Sequence, residues 1–284
     1  MMPRVRFYAA ALRDELQISG CANVDAVAKT LNLEIREIDL SGCDGALLRS
    51  SADTAGIIAV RRSIRETGRK RFTIAHEIGH RILHAASVAC TQSEIGNWTS
   101  SATNVEREAD EFAAELLLPS RELVSVVNRT SPSLQVIQDL AREYQASLSA
   151  SAWNFCDVVN VPCAVIWSTR EVIQWSRRSD SFRFFLRRGS RVPDASYAMA
   201  AFRDQQFPTQ PEPVAAHEWI EDTRLREHAE IWEQSLKLRS YESVITLLWV
   251  RRPIFDERSD EDTLLPELDP EEFTLRRKRW PGKR

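Results

Sequence analysis

Two histidines and a glutamate, His76, Glu77 and His80, stand in the segment KRFTIAHEIGHRILH that runs from Lys70 to His84. An α-helix rises about 1.5 Å per residue, so residues four apart share one face about 6 Å apart along the axis, and both imidazoles can converge on one ion. Glu77 projects about 100° round the helix from His76, beside that ion rather than on it. A carboxylate placed there can take a proton from a water and pass it to a leaving amine. This is the H-E-x-x-H arrangement of zinc peptidases. The flanking Phe72, Ile74, Ala75, Ile78, Ile82 and Leu83 are those of a buried helix, and buried histidines need partners. Gly79 costs such a helix about 1 kcal/mol against Ala and makes sense where another backbone approaches closely.

Zinc wants a third protein ligand and an open position for water. The segment VEREADEFAAELLLP, Val105 to Pro119, reads as an amphipathic helix stopped by Pro119. Glu106, Ala109, Asp110, Ala113 and Leu117 fall on one stripe at spacings of three and four. Small Ala109 and Ala113 let this helix pack closely against the one that carries His76, so that Glu106 reaches the ion. Asp110, one turn on, can then hydrogen-bond the far nitrogen of a ligating histidine and fix its tautomer. Glu108, about 160° round the helix from Glu106, is the alternative third ligand. E-x-x-A-D following H-E-x-x-H is the gluzincin type of pairing.

The two motifs together, RKRFTIAHEIGHRILH and EREADEFAAELLLP, resemble the ImmA/IrrE family of metallo-endopeptidases over roughly residues 20 to 130. The resemblance implies zinc held by His76, His80 and Glu106 with Glu77 as general base. It also implies a protein substrate, a helix-turn-helix transcriptional repressor of a stress or mobile-element response. The substrate class comes from the resemblance alone; nothing in the spacing supplies it.

The remaining chain must position these helices. At 284 residues it can form one large or two ordinary domains, and its 43% hydrophobic and 28% charged residues are those of a globular protein. A net charge of −3 leaves no electrostatic footprint for general nucleic-acid binding. Cys21, Cys43, Cys90, Cys156 and Cys163 are odd in number and lack C-x-x-C spacing, which reads as reduced thiols in the cytoplasm. Neither a signal peptide nor a membrane span is expected.

Helices are expected over 5–18 and 24–32, and strands over Leu33–Leu40, Ala46–Arg49 and Gly56–Arg61, the last an edge strand that could serve as a substrate rail. His84, about 12 Å along the axis from His76, is too far to share the ion and reads as a partly exposed surface residue. The long segment Ala85–Asn104 suggests a lid, with Trp98 closing over the cleft or anchoring the loop. Residues 131–160 look like a helix-turn-helix. Their second helix offers Ser149, Ser151 and Asn154 but no Arg or Lys, so packing rather than DNA reading is expected. Beyond Val161, the runs VPCAVIWS, EVIQWSRR and SFRFFLRR suggest an antiparallel meander, 224–239 a helix, Phe207–Ala215 a surface loop, and the stretch before Pro253 a further strand. The tail after Asp256 is expected to be mobile.

The expected fold class is α+β: a zincin-like helix pair with a small sheet at 1–130, a helical linker at 131–160, and a second α+β domain on an antiparallel sheet at 161–284 that senses a signal or binds a partner. The expected function is a zinc-dependent endopeptidase. Two readings compete: a non-proteolytic zinc-containing regulator that binds a repressor or a toxin/antitoxin partner, and a DNA-binding regulator with a vestigial site.

Overall fold

The computed structural model describes residues 4–49, 55–84, 104–222, 225–226, 228–238, 242–251 and 254. The expectations for Ala85 to Thr103, including Trp98, and for the tail after Asp256 lie outside those residues. Two helices come first, α1 (Arg4–Glu15) and α2 (Val24–Thr30), the second capped by Asn23, whose side chain accepts from the Ala26 N–H. Three strands follow: β1 (Leu33–Ile38), β2 (Gly45–Arg49) and β3 (Gly56–Arg61). They form a small sheet in the order β1-β3-β2, with β1 parallel and β2 antiparallel to β3.

That order corrects one expectation. Gly56–Arg61 is the central strand, its main-chain groups taken by both neighbours, so it cannot be a substrate rail. The edge strand packed against the motif helix α3 (Thr67–Leu83) is β2. Parallel pairing needs a crossover longer than a hairpin, and the chain from β1 to β3 makes it by way of β2. Hydrophobic patterning alone, with apolar runs at both 46–48 and 57–60, does not say which of the two lies inside.

Helix α4 (Asn104–Leu117) lies along α3, and α1 backs α4 from the other side. Gly79 is where the two motif helices touch most closely. A Cβ there would stand 3.2 Å from the Ala109 Cα and 3.2 Å from the Phe112 ring. Pro119 ends α4 and starts α5 (Ser120–Val127), where the Glu115 carboxylate accepts from the Ser120 N–H and hydroxyl. Next come α6 (Leu134–Glu143) and α7 (Leu148–Val158), each capped by a serine, Ser133 and Ser147. Ser151 and Asn154 of α7 are buried and face the protein, while Ser149 is half-buried. Gly68, at the start of α3, leaves room for the 146–147 turn, where a Cβ would meet the Ser147 nitrogen at 2.5 Å.

The second sheet is wholly antiparallel in the order β5-β4-β8-β7-β6. Its strands are β4 (Cys163–Thr169), β5 (Val172–Arg178), β6 (Glu212–Ala215), β7 (Glu230–Leu238) and β8 (Ser243–Trp249), with the short helices α8 (Tyr197–Phe202) and α9 (Ala216–Trp219) inserted before and after β6. The architecture is therefore α+β throughout, a helix pair on a small mixed sheet followed by an antiparallel sheet. Three expectations are corrected here. SFRFFLRR forms no strand, although Phe182, Phe184 and Leu186 alternate inward and are buried. The Pro-rich loop ends in edge strand β6 rather than staying irregular. Most of 224–239 is strand β7 and not a helix; the polar Glu233, Gln234 and Ser235 are buried in succession, as on a strand covered on both faces. Glu233 accepts from the Ala198 N–H and the Trp219 indole; Gln234 accepts from the Leu134 N–H and donates to the Thr209 carbonyl. One hydrophobic cluster runs from Ala9 and Leu12 through Phe112 and Leu140 to Val165, Leu247 and Trp249, so the site helices and one face of the second sheet share a core. No helix among the described residues is long and apolar enough to cross a membrane.

Candidate metal centre

Helical spacing does for His76 and His80 what the pattern requires. Their Nε2 atoms face the same point, 3.0 Å apart, and both side chains are buried. Glu106, on the first turns of α4, completes the group: its oxygens lie 3.3 Å from His76 Nε2 and 3.6 Å from His80 Nε2. These three residues form the group among the described residues that could hold a metal ion. Around a tetrahedral ion with bonds of about 2.0–2.1 Å, neighbouring ligand atoms stand about 3.3 Å apart. The nitrogen–nitrogen distance of 3.0 Å and the distances of 3.3 Å from His76 to Glu106 Oε2 and 3.6 Å from His80 to Glu106 Oε1 bracket that value. Two neutral imidazoles and a carboxylate, with one position left over, suit zinc in a hydrolytic site. Glu108 is not part of the group; its carboxylate lies 3.0 Å from His84 Nε2 instead.

Asp110 stands behind His76, its Oδ1 2.9 Å from Nδ1 and both groups buried. A carboxylate accepts, so His76 Nδ1 carries the proton and Nε2 presents its lone pair to the centre of the cluster. Burial is the largest influence on His80 and, with the neighbouring His76 and His84, lowers its pKa against the raising effect of Glu106, which favours the neutral ring a ligand must be.

Glu77 is wholly buried against β2. Neither carboxylate oxygen has a hydrogen-bond partner of ordinary geometry among the described residues. Burial pushes its pKa up to about 7; the nearby His76 pulls it down, the Glu106 charge pushes it up, and the Leu47 backbone pulls it down. A buried carboxylate left without partners costs several kcal/mol, so this group is understandable only where a cation and a water belong beside it. Strand β2 makes room for it through Gly45, where a Cβ would stand 2.9 Å from Glu77 Oε1 and 2.5 Å from Thr73 Cγ2. Buried Asp44, next in the chain, ties the start of β2 to α3 through Arg69 and to β3 through Arg61, at 3.1 Å in the second pair.

Sequence reasoning missed three of these groups. His84 is not a bystander on the surface: its Nδ1 lies 3.0 Å from His80 Nδ1, and its side chain is 12% exposed. The i, i+4 spacing from His80 was the available signal. Gly45 and Asp44 had no local signal, because their partners are distant in the chain.

A family model described as the IrrE N-terminal-like domain of the peptidase M78 type matches residues 28–153. Among solved structures, a Mycobacterium tuberculosis transcriptional regulator resembles the chain with a TM-score of 0.53 at 15% identity, over 87% of this chain and 77% of that one. At that identity the likeness shows the fold alone. No curated protein matches. The matched segment contains both motif helices and the small sheet, and its His-Glu-x-x-His and glutamate set is that of a gluzincin-like metalloprotease active site. Over residues 28–153 the chain is similar to the IrrE N-terminal-like domain, in keeping with the ImmA/IrrE resemblance that the two motifs carry.

Proposed function

We propose that the protein is a zinc-dependent endopeptidase in which His76, His80 and Glu106 hold the ion, Glu77 is the general base and Asp110 fixes the His76 tautomer. The observation that carries this reading is the convergence of two imidazoles and one carboxylate, with the buried carboxylate of Glu77, which has no hydrogen bond of ordinary geometry among the described residues, beside them. When bound, zinc supplies Lewis acidity, which makes a water nucleophilic near neutral pH and polarises the scissile carbonyl. Glu77 takes the proton of the attacking water on its carboxylate and delivers it to the leaving amine nitrogen. Asp110 keeps the His76 proton on Nδ1 through the cycle. Edge strand β2, next to Glu77, offers main-chain groups to an extended substrate segment, the role first expected of Gly56–Arg61.

The substrate we infer is a helix-turn-helix transcriptional repressor, cleaved in the cytoplasm during a stress or mobile-element response. The family resemblance supports it, and the fold shared with a protein described as a transcriptional regulator accords with it. In this reading 1–130 is the peptidase domain, 131–160 the helical linker, and 161–284 the part that senses the signal or binds the partner. Co-expression with candidate repressors tests it. Wild type should give a shortened repressor band, Glu77→Gln should keep metal content but leave the repressor whole, and His80→Ala should lose both metal and cleavage. A Gln variant that cleaves as well as wild type removes Glu77 from its role. Metal-loaded wild type that binds the repressor without shortening it favours the non-proteolytic regulator.

A further inference from the structure

Each histidine of the cluster has its far ring nitrogen engaged, but by a different kind of group. Behind His76 is the buried Asp110 carboxylate, at 2.9 Å. Behind His80 is another imidazole, His84, with the two Nδ1 atoms 3.0 Å apart, and His84 Nε2 in turn lies 3.0 Å from Glu108 Oε2. His84 caps the C-terminus of α3, its backbone N–H donating to the His80 carbonyl at 3.1 Å, so the backbone anchors this ring one turn beyond its partner.

We propose that Glu108, acting through His84, orients His80 toward the divalent cation, as a second support parallel to Asp110. The proposal rests on the metalloprotease reading only in needing a cation at the cluster. Proton positions follow from the two contacts. When His80 offers Nε2 to the ion, its proton sits on Nδ1 and donates to His84 Nδ1. That atom must then be bare, so the His84 proton is on Nε2, where it donates to the Glu108 carboxylate. A His84 protonated at Nδ1 would set two N–H groups head to head. The donors thus run one way, from the cluster out to a carboxylate that is half exposed. Partners of this kind fix the orientation of a ligating ring and raise its basicity, and their removal typically costs about 10–100-fold in metal affinity. Asp110 acts directly and is buried, whereas Glu108 acts across an intervening ring and shares its charge with solvent. The loss on removing Glu108 is therefore the smaller of the two.

The test uses the full chain. Zinc affinity is measured by competition with a chromophoric chelator. The Co2+-loaded protein is then examined by proton NMR in water, where the Nδ1–H protons of His76 and His80 give separate, paramagnetically shifted exchangeable signals. His84→Ala should weaken zinc binding about 10–100-fold. It should also broaden or erase one exchangeable signal by faster solvent exchange, while the signal held by Asp110 persists. His84→Asn, whose side-chain carbonyl can accept in place of Nδ1, should recover most of both. A residue that merely fills space would not produce a change confined to one signal. Glu108→Ala, at a half-exposed position that does not threaten folding, should show the same signal exchanging faster and a smaller loss of affinity. Zinc affinities within about twofold of wild type and two unaltered signals would overturn the proposal, and the Glu108→Ala result decides it alone if His84→Ala does not fold. Wild-type protein that takes up no zinc overturns the metalloprotease reading as well; wild type that binds zinc without cleaving overturns only cleavage.

Discussion

Glu77 is a costly side chain when no ion is beside it, because it is a fully buried carboxylate with its pKa raised by burial to about 7. An acid whose folded pKa lies above its unfolded value of 4.5 adds its full share of stability below pH 4.5 and loses it as pH rises through 7. A shift of that size corresponds to about 3 kcal/mol as an upper bound. Metal-free Glu77→Gln should therefore melt above metal-free wild type at pH 8, by up to roughly 6 °C, with the gap closing toward pH 5. Saturating zinc should erase the gap at both pH values, because the cation compensates the carboxylate charge. Melting curves of the two proteins that differ equally at pH 5 and pH 8 would refute this account of Glu77. Gly45 offers a second check at the same scale. Gly45→Ala pushes a methyl group to 2.9 Å from Glu77 Oε1 and should cut turnover by about 10–100-fold while leaving zinc content near wild type. Turnover unchanged in that variant would mean that Glu77 works from some other position. The histidine pair and its intervening glutamate could be read from the sequence because helical geometry converts a spacing of four directly into a shared face. Gly45 could not, since what its missing Cβ makes room for lies some thirty residues on in another element.

At the scale of elements, the centre depends on how closely α4 can lie against α3. Both Gly79 and Ala109 keep that distance short, and the contact of 3.2 Å to the Ala109 backbone leaves no space for a branched side chain. Gly79→Val should cost about 1–3 kcal/mol by overpacking and should weaken zinc binding as well, since Glu106 moves with its helix while the histidines do not. Thermal unfolding and chelator competition on the same protein separate the two effects; a stability loss without an affinity loss would show that Glu106 is positioned independently of the helix spacing. This close approach was legible, because a glycine in the middle of an apolar helix asks for a reason. Strand order was not. Ala46–Leu48 and Gly56–Val60 are equally apolar, and only the crossover from β1 decides that β3 is flanked on both sides and β2 is left at the edge. Strand β7 was hidden for a different reason: buried Glu233, Gln234 and Ser235 are satisfied by Trp219, Leu134 and Thr246, and such long-range partners leave no trace in a hydrophobic pattern.

For the molecule as a whole, the shared core turns a local event at the cluster into a global one. Leu116 and Ile78 from the motif helices belong to the same cluster as Val165, Ile245 and Trp249 of the second sheet, and Trp167, Trp175 and Trp232 pack against it. An ion that bridges α3 and α4 binds the folded state and not the unfolded one, so it raises the stability of every part that unfolds with that core. With free zinc at about 1,000 times its dissociation constant the gain is about 4 kcal/mol. Tryptophan fluorescence, which reports mainly on the chain beyond residue 150, should therefore detect an ion bound at residues 76, 80 and 106. Wild type should melt roughly 7–8 °C higher with zinc than with a chelator when followed by tryptophan emission. His80→Ala should show little zinc dependence, because it removes one of three donors and leaves the core intact. If zinc raises the midpoint seen by circular dichroism of the helices but leaves the tryptophan midpoint where it was, the two sheets unfold separately. The second sheet would then be a unit joined to the peptidase by contact rather than by a common core, and α6 and α7, which pack on that sheet and whose connecting turn at 146–147 abuts Gly68 of α3, would be a route from it to the metal centre.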